Sequence, residues 1–322
     1  MTMAGSSGIS LSTLRQHNFW DAVMRHATRT AALTVLLVLG GVIYTLVVGS
    51  LPALNQLGLG FFSSQRWNPV EENLGGLTAI YGTLITALIA LVIAVPISLG
   101  IAIFITELCP RWLRRPIGIA IELLAGIPSI IYGIWGLFVF APVFRDWFQI
   151  PVNNAVDGIP ILSTVFGGQI NGYGILTAGI ILSIMILPYI TSITRDVFET
   201  VPAVLKESAY GLGSTTWEVV RKVVLPYSGA GVIGGIMLGL GRALGETMAV
   251  TFVVGNSHRL TGSLFSPGTT ISASIANEFA EAENVMHESA LTLLGLTLFV
   301  ITFIVLAAAR LMLLRLEQRK GN

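Results

Sequence analysis

The chain is short of charge. Of its 322 residues, 11% are Asp, Glu, Lys or Arg, against 53% hydrophobic, and mean hydropathy is +0.79. Soluble domains carry roughly 25% charged residues, so a water-soluble globule is excluded and a membrane protein is expected. A net charge of +1 gives no footing for nucleic-acid binding. The one cysteine, Cys109, cannot form an internal disulfide and reads as a small buried hydrophobe. No lysine follows a glycine, so there is no Walker A sequence, and neither GxSxG nor HExxH occurs. The chain reads as a non-enzyme without cofactor; any ATP is used on another subunit. His17, His26, His258 and His287 lie apart from one another and outside the apolar runs, which reads as four surface residues and no metal site.

Six apolar runs are long enough to span a hydrocarbon core, which takes ~20 residues. They fall near 28–50, 80–106, 117–143, 174–194, 228–255 and 290–314. No cleavable signal peptide is read, because the first run follows Arg15, Arg25 and Arg29 and is too long for one. The Ser/Gly-rich stretch before it is expected to be a flexible tail plus a short surface helix at Phe19, Trp20 and Val23. The expected division is a cytoplasmic segment 1–27, a first helix with its outer loop 28–79, a core 80–314 and a tail 315–322. Arg66, Arg145 and Arg259 lie on one side and Arg242 within a span; the rest of the 18 Lys and Arg lie on the other side. The positive-inside rule then places both termini in the cytoplasm.

The outer loops carry Glu71, Glu72, Asp146, Asp157, Glu278, Glu281, Glu283 and Glu288. They form either a solvated face or a docking surface, and Thr270 is placed to cap a short surface helix there. Pro96, Pro128, Pro142 and Pro188 are expected to bend or break their spans. Glu122 lies two to three turns into the third run. It is a functional candidate as an intramembrane acid, or else a headgroup-depth residue paired with Arg114 or Arg115.

Two stretches carry the chemistry. In the fifth run, Arg242 and Glu246 are spaced i,i+4, and an intramembrane charge costs at least ~2.5–3.5 kcal/mol. Gly231, Gly235, Gly239, Arg242 and Glu246 fall within an arc of about 80° on a continuous helix. That small-residue face suits a close protein neighbour or a pathway. Arg242 is a fork of donors for an oxyanion, with Glu246 weakening its hold; the alternative is an intersubunit salt bridge. The order, Arg before Glu, is the less favourable one for a single helix.

The second stretch is Arg195–Pro226, a polar insert between apolar runs. Asp196, Glu199, Glu207 and Glu218 balance Arg195, Lys206, Arg221 and Lys222. Thr200 before Pro202 reads as a helix start, and Gly211 and Gly213 as its stop. Thr215 and Glu218 form a capping box for a second helix. That helix is expected to present Trp217, Val220 and Val224 on one side, and Leu225-Pro226 to turn the chain back to the membrane.

Glu207-Ser208-Ala209, three residues, Gly213, nine residues, Val223, one residue, Leu225-Pro226 resembles the EAA motif of ABC importer permeases. That motif reads E-A-A, three, G, nine, I, one, L-P, so Ser208 and Val223 are mild departures. The resemblance implies an all-α integral membrane protein of six transmembrane helices, with the ABC type I importer permease fold. It also implies a coupling helix whose Glu207, Ser208, Ala209 and Gly213 meet a cytoplasmic ATPase. GIPSIIYGIWGLFVFAP (126–142), RDVFETVP (195–202), KESAYGLG (206–213) and GGIMLGLGRALGETMAVTFVVGN (234–256) further resemble the PstC-type permeases of phosphate-specific importers. That likeness implies a PstA-type permease, a PstB-type ATPase dimer and a PstS-type phosphate-binding protein as partners, within membrane lipid of the cell (inner) membrane. Alternatives are a permease for sulfate, molybdate or another oxyanion, and an ion-coupled anion carrier or channel.

Overall fold

The computed structural model describes residues 11–156 and 158–320. Among them, six helices are long and apolar enough to cross a membrane. Two units are distinguished, residues 1–49 and 50–322. The first is helical from Leu11, the start of α1 (Leu11–Leu57), and its Leu33 and Val35 to Leu39 are exposed apolar side chains suited to lipid. Residues 1–10, where a tail is expected, lie outside the described residues. The expected separate surface helix is instead the beginning of α1.

The second unit holds the rest. A two-residue hairpin pairs β1 (Trp67–Asn68) with β2 (Asn73–Leu74). There follow α2 (Leu77–Ile103), α3 (Arg111–Ala125), α4 (Ser129–Val156, a span with two π-turns) and α5 (Pro160–Phe166). Then come α6 (Ile175–Glu199), α7 (Ala203–Gly211), α8 (Thr216–Gly245), α9 (Met248–Val254), α10 (Ile271–Glu278) and α11 (Val285–Lys320).

α6 is the central helix. Ala87, Ala90 and Ala94 recur along one face of α2 and meet Ile181, Leu182, Met185 and Ile186 of α6. Lipid offers no hydrophobic drive to helix pairing, so close approach through small residues supplies the van der Waals contact. Pro96 and Pro188 stand inside α2 and α6 without ending them. Beside Pro188, the Ser98 hydroxyl of α2 donates to the Leu187 carbonyl at 3.1 Å, an interhelical bond of the kind that makes kinked backbone tolerable in lipid. The break falls at Pro128 alone. It divides the expected third span into α3, short and amphipathic, and α4, which does span.

A second cluster, containing Phe61, Leu74, Ala79, Ile271 and Leu291, closes one end of the unit. Here Thr270 does cap α10, accepting from the Ala273 amide at 3.2 Å. The helix is not on the surface as expected, because Ile271, Ser272, Ala273 and Ser274 are all buried. A third cluster, containing Ala102, Phe198, Val219, Val224 and Val232, packs the opposite end under α7. Cys109 is buried, as its sequence context suggests.

Candidate functional site

The polar insert folds as two helices around one glycine turn. Gly213 has φ +85°, the left-handed region that only glycine adopts freely. Its amide donates to the Tyr210 carbonyl at 2.9 Å, closing the end of α7. The Thr215–Glu218 capping box is complete in both directions, with Glu218 Oε2 3.0 Å from the Thr215 amide. Glu207 and Ser208 are exposed, and Ala209 is half-buried against the third cluster. The insert also presents apolar surface to water, with Leu212 89% and Trp217 61% exposed.

Three expectations for this insert are corrected. Thr200 does not cap α7; its hydroxyl bonds back to the Val197 carbonyl at 2.7 Å and finishes α6. Trp217 does not share the buried side with Val220 and Val224; Val219 takes its place. Leu225-Pro226 makes no turn, because a π-turn at Val220–Val224 carries the helix straight into the fifth span. The extra residue of a π-turn rotates the helix faces relative to a plain α-helical wheel, which is why that wheel misplaces Trp217.

Sequence reasoning missed the contact that holds α7 down. Lys206 Nζ lies 2.6 Å from Glu107 Oε1, in the π-turn that follows α2. The only signal was an isolated acid closing an otherwise apolar run, ninety-nine positions from its partner.

The fifth span is not one helix through Glu246. α8 ends at Gly245, and Glu246 is extended, with φ −70° and ψ 129°. Arg242 and Glu246 therefore do not share a helical face. Glu246 is buried, and its Oε1 accepts from the Ala249 amide of α9 at 3.3 Å. Arg242 stands in the last turn of α8, its guanidinium carbon 4.5 Å from the centre of the Tyr189 ring. Cations are favoured at helix C-termini and anions at N-termini. The Arg-then-Glu order, wrong for one helix, is right for two meeting end to end.

The glycine stripe is a seam within the chain. A Cβ on Gly231, Gly235 or Gly239 would run into Val197, Ile193 or Ile190 of α6. Arg242 itself faces a cavity of about 820 Å³ that also touches Met237, Leu238, Leu306 and Arg310. Its Nε is buried and has no hydrogen-bond partner among the described residues. A buried donor left open beside a cavity fits a group that arrives from outside the chain.

Glu122 is exposed on α3, which is too short to count among the six candidate spans, and pairs at 3.0 Å with Arg195 rather than with Arg114 or Arg115.

At the other end, two histidines read as isolated surface residues come together. His258 Nε2 and His287 Nε2 lie 2.9 and 3.0 Å from the two oxygens of Glu278. The Trp67 indole donates to the same carboxylate at 2.7 Å and stacks on His258, with ring centres 4.9 Å apart. Burial pushes the Glu278 carboxyl upward, but the bonds from His258, Trp67 and His287 outweigh it and hold the group below the usual glutamate range.

Six long apolar helices, the central ones packed through small residues, and a helix–turn–helix insert with exposed apolar side chains fit a membrane permease. Residues 94–318 match the binding-protein-dependent transport system inner membrane component family, and the chain belongs to it. Its relatives narrow this further. The phosphate transport system permease protein PstC of Mesorhizobium japonicum is 60% identical over 310 residues, 96% of this chain and 95% of that protein. The PstC of Pasteurella multocida is 55% identical over 306 residues, 95% of each chain. Among solved structures, a chain of a bacterial alginate ABC transporter superposes with TM-score 0.54 at 17% identity, covering 91% of this chain and 96% of that one. A chain of the MetNI methionine ABC transporter gives TM-score 0.50 at 15% identity, covering 78% and 96%. At those identities the likeness carries the fold alone.

Proposed function

We propose that this chain is the PstC-type permease subunit of an ATP-driven importer of inorganic phosphate. The observation that carries this is the 60% identity to a phosphate transport permease along nearly the whole of both chains. The folded EAA element, with its glycine turn and exposed apolar face, supports drive by a separate ATPase. A PstA-type permease, a PstB-type ATPase dimer and a PstS-type phosphate-binding protein complete the assembly in this reading. The chain itself carries no cofactor.

Both termini and the insert face the cytoplasm. The charge bias supports this, as do the pairs Arg195–Glu122 and Lys206–Glu107, which gather the arginine-rich loops at one end of the unit. Arg242 is the anion contact of the pathway, supported by its unpartnered Nε and its cavity. Glu246 fixes the junction of α8 and α9 beside it. Glu207, Ser208, Ala209, Gly213, Leu225 and Pro226 shape the ATPase contact and its link to the fifth span. Glu122 serves the α3–α6 junction and not the pathway.

Labelled phosphate uptake in cells lacking this chain, complemented with it, tests the reading. Uptake returns and is competed by phosphate but not by sulfate or molybdate. Equal competition by sulfate would make it a permease for another oxyanion, and uptake that survives ATP depletion would make it a carrier or channel.

A further inference from the structure

α3 has the make-up of a helix that lies on a membrane and holds its charge. It joins the end of one span, at Leu108, to the start of the next, at Ser129, so it lies at the membrane surface. At 100° per residue, Trp112, Pro116, Ile119 and Leu123 fall within about 60°. All four are exposed, Trp112 to 77%. Arg111, Arg115 and Glu122 follow on the adjoining strip of the helix, and the buried side carries Gly118 and Ile121. An apolar stripe bordered by arginines is the pattern of interfacial helices on anionic lipid.

The arginines also stand at the wrong end of their helix. Arg111, Arg114 and Arg115 open α3 with no acid in the first turn, although the N-terminus of a helix is itself positive. The fold adds a fourth cation instead of a counter-charge. The Arg195 guanidinium lies across Gly118, where a Cβ would stand 2.8 Å from its Nη1. Together with Glu122 and Glu199 these four arginines line a cavity of about 360 Å³. Arg195 is already neutralised by Glu122 and Asp196. Arg114 spends Nη2 on the Thr106 carbonyl at 2.8 Å, and its Nε is buried without a partner. Arg111 and Arg115 remain exposed and form no ion pair among the described residues, although Glu122 and Glu199 line the same cavity.

We infer that this cavity binds the phosphate headgroup of an anionic phospholipid, with Trp112, Ile119 and Leu123 seated among its acyl chains. The charge surplus selects the anion. The neighbouring apolar stripe, continuous with the spans, selects a lipid over a free ion. Phosphate oxygens match the planar donors of arginine. Held in this way, α3 is anchored at the same depth as the Arg195 end of α6.

The test uses the assembled complex in neutral detergent. It is titrated with phosphatidylglycerol, phosphatidylcholine or inorganic phosphate, and bound lipid is counted by native mass spectrometry. Phosphatidylglycerol is expected to bind and phosphatidylcholine not. Each surface arginine contributes about 1 kcal/mol toward anionic lipid, so Arg111→Gln/Arg115→Gln lowers the apparent affinity about 30-fold. Arg115→Gln alone lowers it about 5-fold, and Arg111→Lys/Arg115→Lys restores most of it. Both side chains are exposed, so the complex is expected to assemble in every case. Three results overturn the inference: phosphatidylglycerol binding unchanged in the Gln variants, inorganic phosphate displacing the lipid at similar concentration, or loss of a protein subunit with lipid binding intact.

Discussion

The Lys206 ammonium lies 2.6 Å from the Glu107 carboxylate, joining α7 to the end of the second span. Each charge is poorly placed for its own helix. Lys206 stands in the first turn of α7, and Glu107 stands in the π-turn that closes the second span, the reverse of what the helix dipoles favour. The arrangement is favourable only across the gap between them. The Glu107 side chain is 6% exposed and that of Lys206 19%, so removing one partner strands a charge, at a cost of about 3 kcal/mol. Glu107→Gln is therefore expected to loosen α7. ATP hydrolysis by the complex continues while phosphate uptake falls several-fold. The exchange Glu107→Lys/Lys206→Glu recovers part of the uptake. Unchanged uptake per ATP hydrolysed in Glu107→Gln would show that the pair transmits nothing.

Gly213 gives a second test of the same lever. Nothing lies within 4 Å of where its Cβ would be, so the requirement is the backbone, with φ +85°. A β-branched residue there costs roughly 1–2 kcal/mol, whereas asparagine enters that region more readily. Gly213→Val is expected to reduce both the ATPase that copurifies and phosphate uptake, and Gly213→Asn much less. If the two variants behave alike, bulk at the docking face and not the turn is what matters.

The fold was legible where a local rule decides it. The Thr215–Glu218 box, the Gly213 stop and the Thr270 cap each depend on neighbours within four residues, and each formed. Six apolar runs became six spans, with the third divided at Pro128 and the fifth ended at Gly245. What the sequence hid was long-range. Glu122 finds Arg195 and Glu107 finds Lys206 across ~70–100 positions, and nothing in either neighbourhood singles out the partner. Glu278 gathers Trp67 from β1, His258 from a loop and His287 from the first turn of α11. Breaks in helices were half visible. The Arg242–Glu246 order was read as unfavourable, and the order is right once the chain is allowed to end one helix and begin another between them.

A variant of Arg242 tests whether the residue serves cargo or assembly. Its neighbours are a ring face and a cavity, not an acid. Arg242→Gln is expected to leave the complex assembled and to lower phosphate uptake at least 10-fold, the loss of one charge-assisted contact of about 1.5–3 kcal/mol. Arg242→Lys keeps the charge but loses the planar fork and most of the stacking on Tyr189, so it recovers little. Failure of assembly in Arg242→Gln, seen by copurification, would make the residue structural.

Glu278 ties β1, the loop at His258 and the start of α11 together, and its charge state is expected to set the pH range over which they hold. Its carboxyl is held below the ordinary glutamate value, about 4.3. The stabilisation it gives is therefore fully present above that value and is lost as pH falls through the depressed folded one. Three hydrogen bonds end on this carboxylate, and Glu278→Gln keeps the shape while removing the charge. A loss of about 2 kcal/mol at neutral pH is expected, read as a lower melting temperature of the purified complex. The gap between wild type and Glu278→Gln stays open down to about pH 4.3 and narrows below it, because the protonated wild type then resembles the variant. A gap that is constant from pH 7 to pH 4 and below would mean that shape, not charge, holds Trp67, His258 and His287 together.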